Sequence, residues 1–140
     1  MRSEKETIGI INKRFGTKLK LSADTFNDYD AEDSNYICEI KCRNKYYPDK
    51  YIELVKFAKN IRHSRLINKI FIYVVDDPKG VYVFNITKSL YKIIKQNIID
   101  KTNMPVTTDF GNKKKINKLV YSLNESTATK INLCQILDQD

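Results

Sequence analysis

Residues 27–43, Asn27-Asp28-Tyr29-Asp30-Ala31-Glu32-Asp33-Ser34-Asn35-Tyr36-Ile37-Cys38-Glu39-Ile40-Lys41-Cys42-Arg43, change character half-way along. The first half gathers Asp28, Asp30, Glu32 and Asp33 among turn-forming residues. The second half alternates and ends in Glu39-Ile40-Lys41, as a strand does. Side chains two apart on a strand share a face, so Glu39 and Lys41 point one way and Ile40 points into the core. A carboxylate and an ammonium then stand together at a strand end, with an aspartate facing them across a short hairpin. Asp30 is the favoured aspartate, with Asp28 in reserve should the hairpin register differ.

On its own, Glu39-Ile40-Lys41 is more simply a same-face ion pair worth under about 1 kcal/mol. The upstream aspartates, the apolar residues between the charges and the helix-then-hairpin pattern that follows shift the balance. Two or three carboxylates can hold a hard cation such as Mg2+ through oxygen, and the cation polarises a phosphoryl oxygen. A neighbouring lysine can orient water or stabilise developing negative charge. Asp30, a short gap and Glu39-Ile40-Lys41 resemble the core motif of the PD-(D/E)XK, or restriction-endonuclease-like, nuclease superfamily. The flavour is that of small viral and archaeal Holliday-junction resolvases, in which a Tyr-Asp pair precedes a strand of the form hydrophobic-x-Glu-(Ile/Leu)-Lys-x-Arg. Here these positions are Tyr29-Asp30 and Ile37 to Arg43, with Tyr29 where the superfamily often has proline.

The resemblance covers roughly residues 4–86. It implies an α/β fold in which a mixed central sheet is flanked by helices, with Asp30, Glu39 and Lys41 as catalytic residues. Asp30, Glu39 and the Ile40 carbonyl would hold Mg2+, with Mn2+ as a substitute. It further implies an additional glutamate from the first helix, for which Glu4 is the candidate, and a lysine from the second helix, for which Lys56 is. Branched DNA is the implied substrate. Cutting two strands implies two copies related by symmetry.

The whole chain agrees with an anionic partner. Its 140 residues suit one domain with a single core. The formal net charge is +8 and the pI near 9.3, which favours nucleic acid, although a solvated lysine surface has the same composition. No apolar run approaches the roughly 20 residues of a membrane span, and the N-terminus has no apolar signal-peptide core. A cytoplasmic protein, host-cell cytoplasm included for a viral one, is expected. Cys38, Cys42 and Cys134 lack metal-ligand spacing, and the first two read as small core residues.

Along the chain, Ser3 and Glu6 form a capping-box pattern ahead of Ile8, Ile11 and Phe15, which predicts a helix over 4–14 ended by Gly16. Residues 17–22 alternate as a half-buried strand through Leu19 and Leu21. Pro48 suits the first turn of a second helix, with Tyr51, Leu54, Val55, Ala58 and Ile61 as its inner stripe. Residues 69–75 and 81–86 predict a hairpin about Asp76-Asp77-Pro78-Lys79-Gly80. Thr87 caps a third predicted helix over 88–99, with Leu90, Ile93, Ile94 and Ile98 inward. A last strand is expected over 119–123 and a short helix near the end. Arg43, Lys45, Tyr46, Lys59, Arg62, Lys113, Lys114 and Lys115 are the candidate DNA contacts, cations for phosphates and the ring for stacking. Two other functional classes stay open: a DNA-binding protein without catalysis on the same fold, and a small interaction protein whose charge serves a protein partner.

Overall fold

The computed structural model describes residues 1–24, 28–105 and 115–137. The elements in order are α1 (Glu4–Phe15), β1 (Lys20–Leu21), β2 (Ala31–Glu32), β3 (Tyr36–Cys42), β4 (Lys50–Glu53), α2 (Leu54–Leu66), β5 (Ile70–Asp77), β6 (Gly80–Asn85), α3 (Ile86–Ile94), β7 (Ile99–Pro105), β8 (Lys115–Leu123), a 3₁₀ turn (Glu125–Thr127), β9 (Thr129–Asn132) and α4 (Leu133–Leu137). Six strands form the main sheet in the order β1-β2-β3-β5-β6-β9, and β4-β8-β7 form a second, smaller one. Only β3 and β5 pair in parallel among the described strands. Parallel neighbours need a crossover, and α2 lies in the connection between them. This is the mixed α/β architecture expected from residues 27–43.

The main sheet is covered on both faces, and so β3 and β5 read as nearly unbroken apolar runs. Ile37 of β3, Phe71 and Tyr73 of β5, and Tyr82 and Phe84 of β6 pack with α2 and α3 through Phe57, Ile61, Ile86, Leu90 and Ile93. The opposite face sets Cys38, Ile40, Ile72, Val74 and Val81 against Ile8 and Ile11 of α1. Phe71 is fully buried; truncating a core phenylalanine to alanine costs about 3–5 kcal/mol.

Local chemistry explains the termini of α1. Ser3 Oγ accepts from the Glu6 N–H at 3.1 Å and the Glu6 carboxylate accepts from the Ser3 N–H at 3.2 Å, completing the capping box. Gly16 ends the helix in the left-handed conformation at φ 69°, which costs glycine nothing. Asn12 ties the exit down: its side chain accepts from the Leu19 N–H at 2.9 Å and donates to the Leu19 carbonyl at 3.0 Å. Gly80 turns the β5–β6 hairpin at φ 143°, and a Cβ there would stand 2.4 Å from the Ile131 carbonyl oxygen of β9. Only glycine lets β9 pair so closely.

Several expected boundaries move. Pro48 does not start a helix: residues 50–53 form β4, paired with β8, and α2 begins at Leu54. The inner residues of α2 are accordingly Phe57, Asn60, Ile61 and Ser64, while Val55 is 63% exposed. Asn85, not Thr87, caps α3, accepting from the Lys88 N–H at 2.9 Å, and Thr87 Oγ1 instead accepts from the Phe71 N–H. The third helix ends at Ile94, leaving Ile94 and Ile98 exposed, and Ile99 opens β7. In the first strand region only Lys20–Leu21 pair, with Leu19 buried and Leu21 exposed. Cys42 is partly buried beside Thr7, while Cys38 is fully buried.

Candidate active site

Strand β3 carries the candidate site to its C-terminal end because it is central and pinned on both sides. Its register with β5 sets Glu39 beside Tyr73 and Lys41 beside Val75. On the other side, β2 sets Ala31 against Cys38. The next residue back, Asp30, donates its N–H to the Cys38 carbonyl at 2.8 Å, and its Oδ2 accepts from the Ile40 N–H at 2.7 Å. Asp30 is thereby locked across from Glu39. Asp28 is placed elsewhere, its carbonyl accepting from Asn60 Nδ2 on α2 at 3.0 Å.

Glu39 is 1% exposed, and neither carboxylate oxygen has a hydrogen-bond partner. Two ammonium groups stand near Oε1: Lys56 Nζ at 3.3 Å and Lys41 Nζ at 3.6 Å. Both are ion-pair distances without hydrogen-bond geometry. Burial pushes the Glu39 carboxyl above its ordinary range, and the two lysines only partly oppose it. Burial likewise draws Lys41 down despite Glu39, with Lys56 adding to the effect. For Lys56 burial acts downward too, but the attraction of Glu39 prevails and its ammonium is held above its ordinary value. Glu4, in the first turn of α1, is raised by burial and by the charge of Asp30, and it feels Lys41 and Lys56. Glu4, Asp30, Glu39, Lys41 and Lys56 therefore belong to one electrostatic neighbourhood, assembled from α1, the β2 hairpin, β3 and α2.

One part of this neighbourhood was not legible in the sequence. Glu53 closes β4 and stands at the N-cap of α2 without a side-chain capping bond. Its carboxylate accepts from Lys118 Nζ of β8 at 3.0 Å. Burial would raise it, yet Lys118, then Lys41 and Lys56, hold it below its ordinary range. The strand alternation of residues 50–53 was the available signal; the partner in β8 was too distant in sequence to suggest itself.

The candidate DNA contacts divide. Arg43, Lys45, Lys59 and Arg62 are exposed, the first pair beyond β3 and the second on α2. Tyr46 is engaged within the protein: its hydroxyl donates to Glu125 Oε1 at 2.9 Å, and Lys50 and Lys79 lie against its ring. Lys113 and Lys114 lie outside the described residues, and Lys115 begins β8.

The donor set can be weighed against a hard divalent cation. Among the described residues no three His, Cys, Asp or Glu side chains are grouped closely enough to hold a metal. A three-carboxylate cage is thus not assembled. A buried carboxylate whose oxygens accept no hydrogen bond, opposite a second carboxylate, nevertheless fits an ion such as Mg2+, which uses one or two protein carboxylates and keeps its remaining ligands as water.

No protein-family model matches the chain, and no curated protein matches it. Among solved structures it is similar to that of Hjc, a Holliday junction resolvase from the archaeal hyperthermophile Archaeoglobus fulgidus. The TM-score is 0.53 at 11% sequence identity, over 96% of this chain and 99% of that one. What the two share at this identity is the fold. The mixed α/β architecture with a helix-flanked central sheet, expected from residues 27–43, is the one the chain adopts. Among the described residues, no helix is long and apolar enough to cross a membrane.

Proposed function

We propose that this protein is a divalent-metal-dependent DNA endonuclease acting on branched, Holliday-junction-like DNA. The observation that carries the reading is the Glu39 carboxylate, buried without a hydrogen bond between two lysines and across from Asp30. A stabilising core seldom leaves a buried carboxylate with nothing closer than ion pairs at 3.3 and 3.6 Å; a site that binds a cation and a phosphate has reason to. Likeness of fold to a resolvase supports the substrate class.

In this reading Asp30, Glu39 and the Ile40 carbonyl hold Mg2+, or Mn2+ in its place, and Glu4 is the reserve carboxylate. The bound ion would polarise the phosphoryl oxygen and offset charge on the attacking water. Lys41 orients that water and Lys56 faces the charge building on the phosphoryl oxygens as the P–O bond breaks. Arg43, Lys45, Lys59 and Arg62 grip flanking phosphates, so affinity falls steeply with salt. Two copies would set two such sites on opposed strands.

The test is cleavage of labelled four-way junction, flap, duplex and single-stranded DNA with Mg2+, Mn2+ or EDTA, comparing the natural protein with Glu39→Ala. Metal-dependent cutting, strongest on the junction and absent in the variant, is expected. Binding without cutting under every condition would replace the proposal with a DNA-binding role.

A further inference from the structure

A concave feature lies on α2, beyond the turn that carries Lys56. A depression of about 270 Å³ opens between the C-terminal half of α2 and the segment that leads into β2. Its floor contains Tyr29, 8% exposed, whose ring stacks on His63 at 5.5 Å between centroids and 22° between planes. Leu66, 76% exposed, forms an apolar wall, and Lys59 and Arg62 stand on the rim.

Asn60 lines the same depression and is 1% exposed. Its Nδ2 donates to the Asp28 carbonyl at 3.0 Å. A carbonyl can only accept, so the amide orientation is fixed, and Oδ1 is turned to the other side. That oxygen is buried with no hydrogen-bond partner. A buried acceptor left unmade costs about 1–3 kcal/mol, and an N–H donor that displaced the lining side chains enough to reach it would remove the cost.

We propose that this depression receives an unpaired nucleobase of the DNA strand engaged at the Glu39 site. The proposal rests on the DNA-acting reading above and adds to it the part of the substrate that is read. The volume is near the lower end of small-molecule sites, about 300 Å³ and upward, which suits a single base. An aromatic floor and a leucine wall suit its faces. The Asn60 acceptor suits an N–H on its edge and disfavours an anion at the floor. The rim cations suit the phosphates on either side. Asn60 lies four residues after Lys56, about 6 Å along the helix axis, or roughly two nucleotide steps at about 3.4 Å per step. A base displaced at a junction or bulge, not one held in continuous duplex, can enter.

The experiment measures binding by fluorescence anisotropy in EDTA to three duplexes: one with a single unpaired adenine, one with an abasic residue at that position, and one uninterrupted. The natural protein is expected to bind the unpaired adenine about ten-fold or more tightly than the abasic duplex, the order set by stacking of one base. Asn60→Ala and Leu66→Ala are expected to bring that ratio within about two-fold, with affinity for the uninterrupted duplex unchanged. Asn60 also ties α2 to Asp28, so Leu66→Ala, at an exposed position, separates base reading from folding. Equal affinity of the natural protein for the adenine and abasic duplexes overturns the base pocket and leaves the nuclease reading standing. So does a ratio that survives in both variants. No binding to any of the three likewise overturns the base pocket, and the nuclease reading is then decided by the four-way-junction cleavage test alone.

Discussion

Two buried lysine–carboxylate clusters stand among the described residues, built from the same residue types to opposite ends. At one, Lys50 of β4 is 3% exposed and its Nζ donates to Asp77 at 3.0 Å, to Glu125 at 2.8 Å and to the Tyr47 carbonyl at 2.6 Å. The rings of Tyr46 and Tyr82 lie 4.3 and 4.2 Å from that ammonium. At the other, Glu39 is as deeply buried and makes no hydrogen bond. Burial lowers both lysines' affinity for protons, but Glu125 and Asp77 reverse the effect at Lys50, whereas Glu39 fails to do so at Lys41. A satisfied cluster fastens strands together, while an unsatisfied one holds charge ready for a ligand.

The largest effect is expected where the satisfied cluster is broken. Lys50→Ala leaves Asp77 buried without its counter-ion and should destabilise the fold by about 3–5 kcal/mol, read from urea or thermal unfolding. Cleavage per folded molecule should change little. A drop in cleavage with stability intact would instead place Lys50 in the chemistry and dissolve the contrast.

Glu39→Gln reverses the pattern. It keeps the shape but removes the ligand charge, and cleavage should fall by about a hundred-fold or more, measured under single turnover with saturating Mg2+. Retained cleavage would remove Glu39 from the site. Stability should move the other way, upward by about 1 kcal/mol at neutral pH. The sign follows from the raised carboxyl of Glu39. The folded state binds the extra proton, so natural-protein stability falls as pH rises from the unfolded carboxyl value to the raised folded one. The gain from Gln is therefore absent below the unfolded value and complete above the folded one. Urea unfolding of both proteins from pH 4 upward reads it; a difference that does not vary with pH would show that the lysines cancel the burial, and a loss that grows towards neutral pH that they outweigh it.

The two clusters also differ in how far the sequence disclosed them. Asp30, Glu39 and Lys41 lie within one hairpin, and the alternation of residues 36–41 suffices to set their faces, so their juxtaposition is a local matter. Lys56 followed once a helix was placed after that strand. Lys50 was hidden because Pro48-Asp49-Lys50 reads as the opening of a helix. The strand that residues 50–53 form instead depends on β8, whose Leu123 pairs with Lys50. The same long-range pairing concealed Glu53 and Lys118, and it shortened the third helix so that Ile99 could open β7 beside Val120. Helix and strand propensities of short segments yield to such partners, which no window of sequence contains.

The smallest expected effect concerns the link between the second sheet and the site. Glu53 is held by Lys118 at 3.0 Å, yet its charge reaches Lys41 and Lys56. With Lys118→Met, Glu53 would be free to turn toward those lysines and compete with Glu39 for them. Both partners are partly exposed, so the lost ion pair itself is worth no more than about 1 kcal/mol of stability. Cleavage should fall about three- to ten-fold, and adding Glu53→Gln should restore most of it, a coupling of ordinary size for neighbouring charges. Additive losses in the double variant would mean that Glu53 and Lys118 only join β4 to β8. Recovery would mean that the small sheet sets the charge balance at Glu39, since Lys118 then acts on the lysines solely by keeping Glu53 away from them.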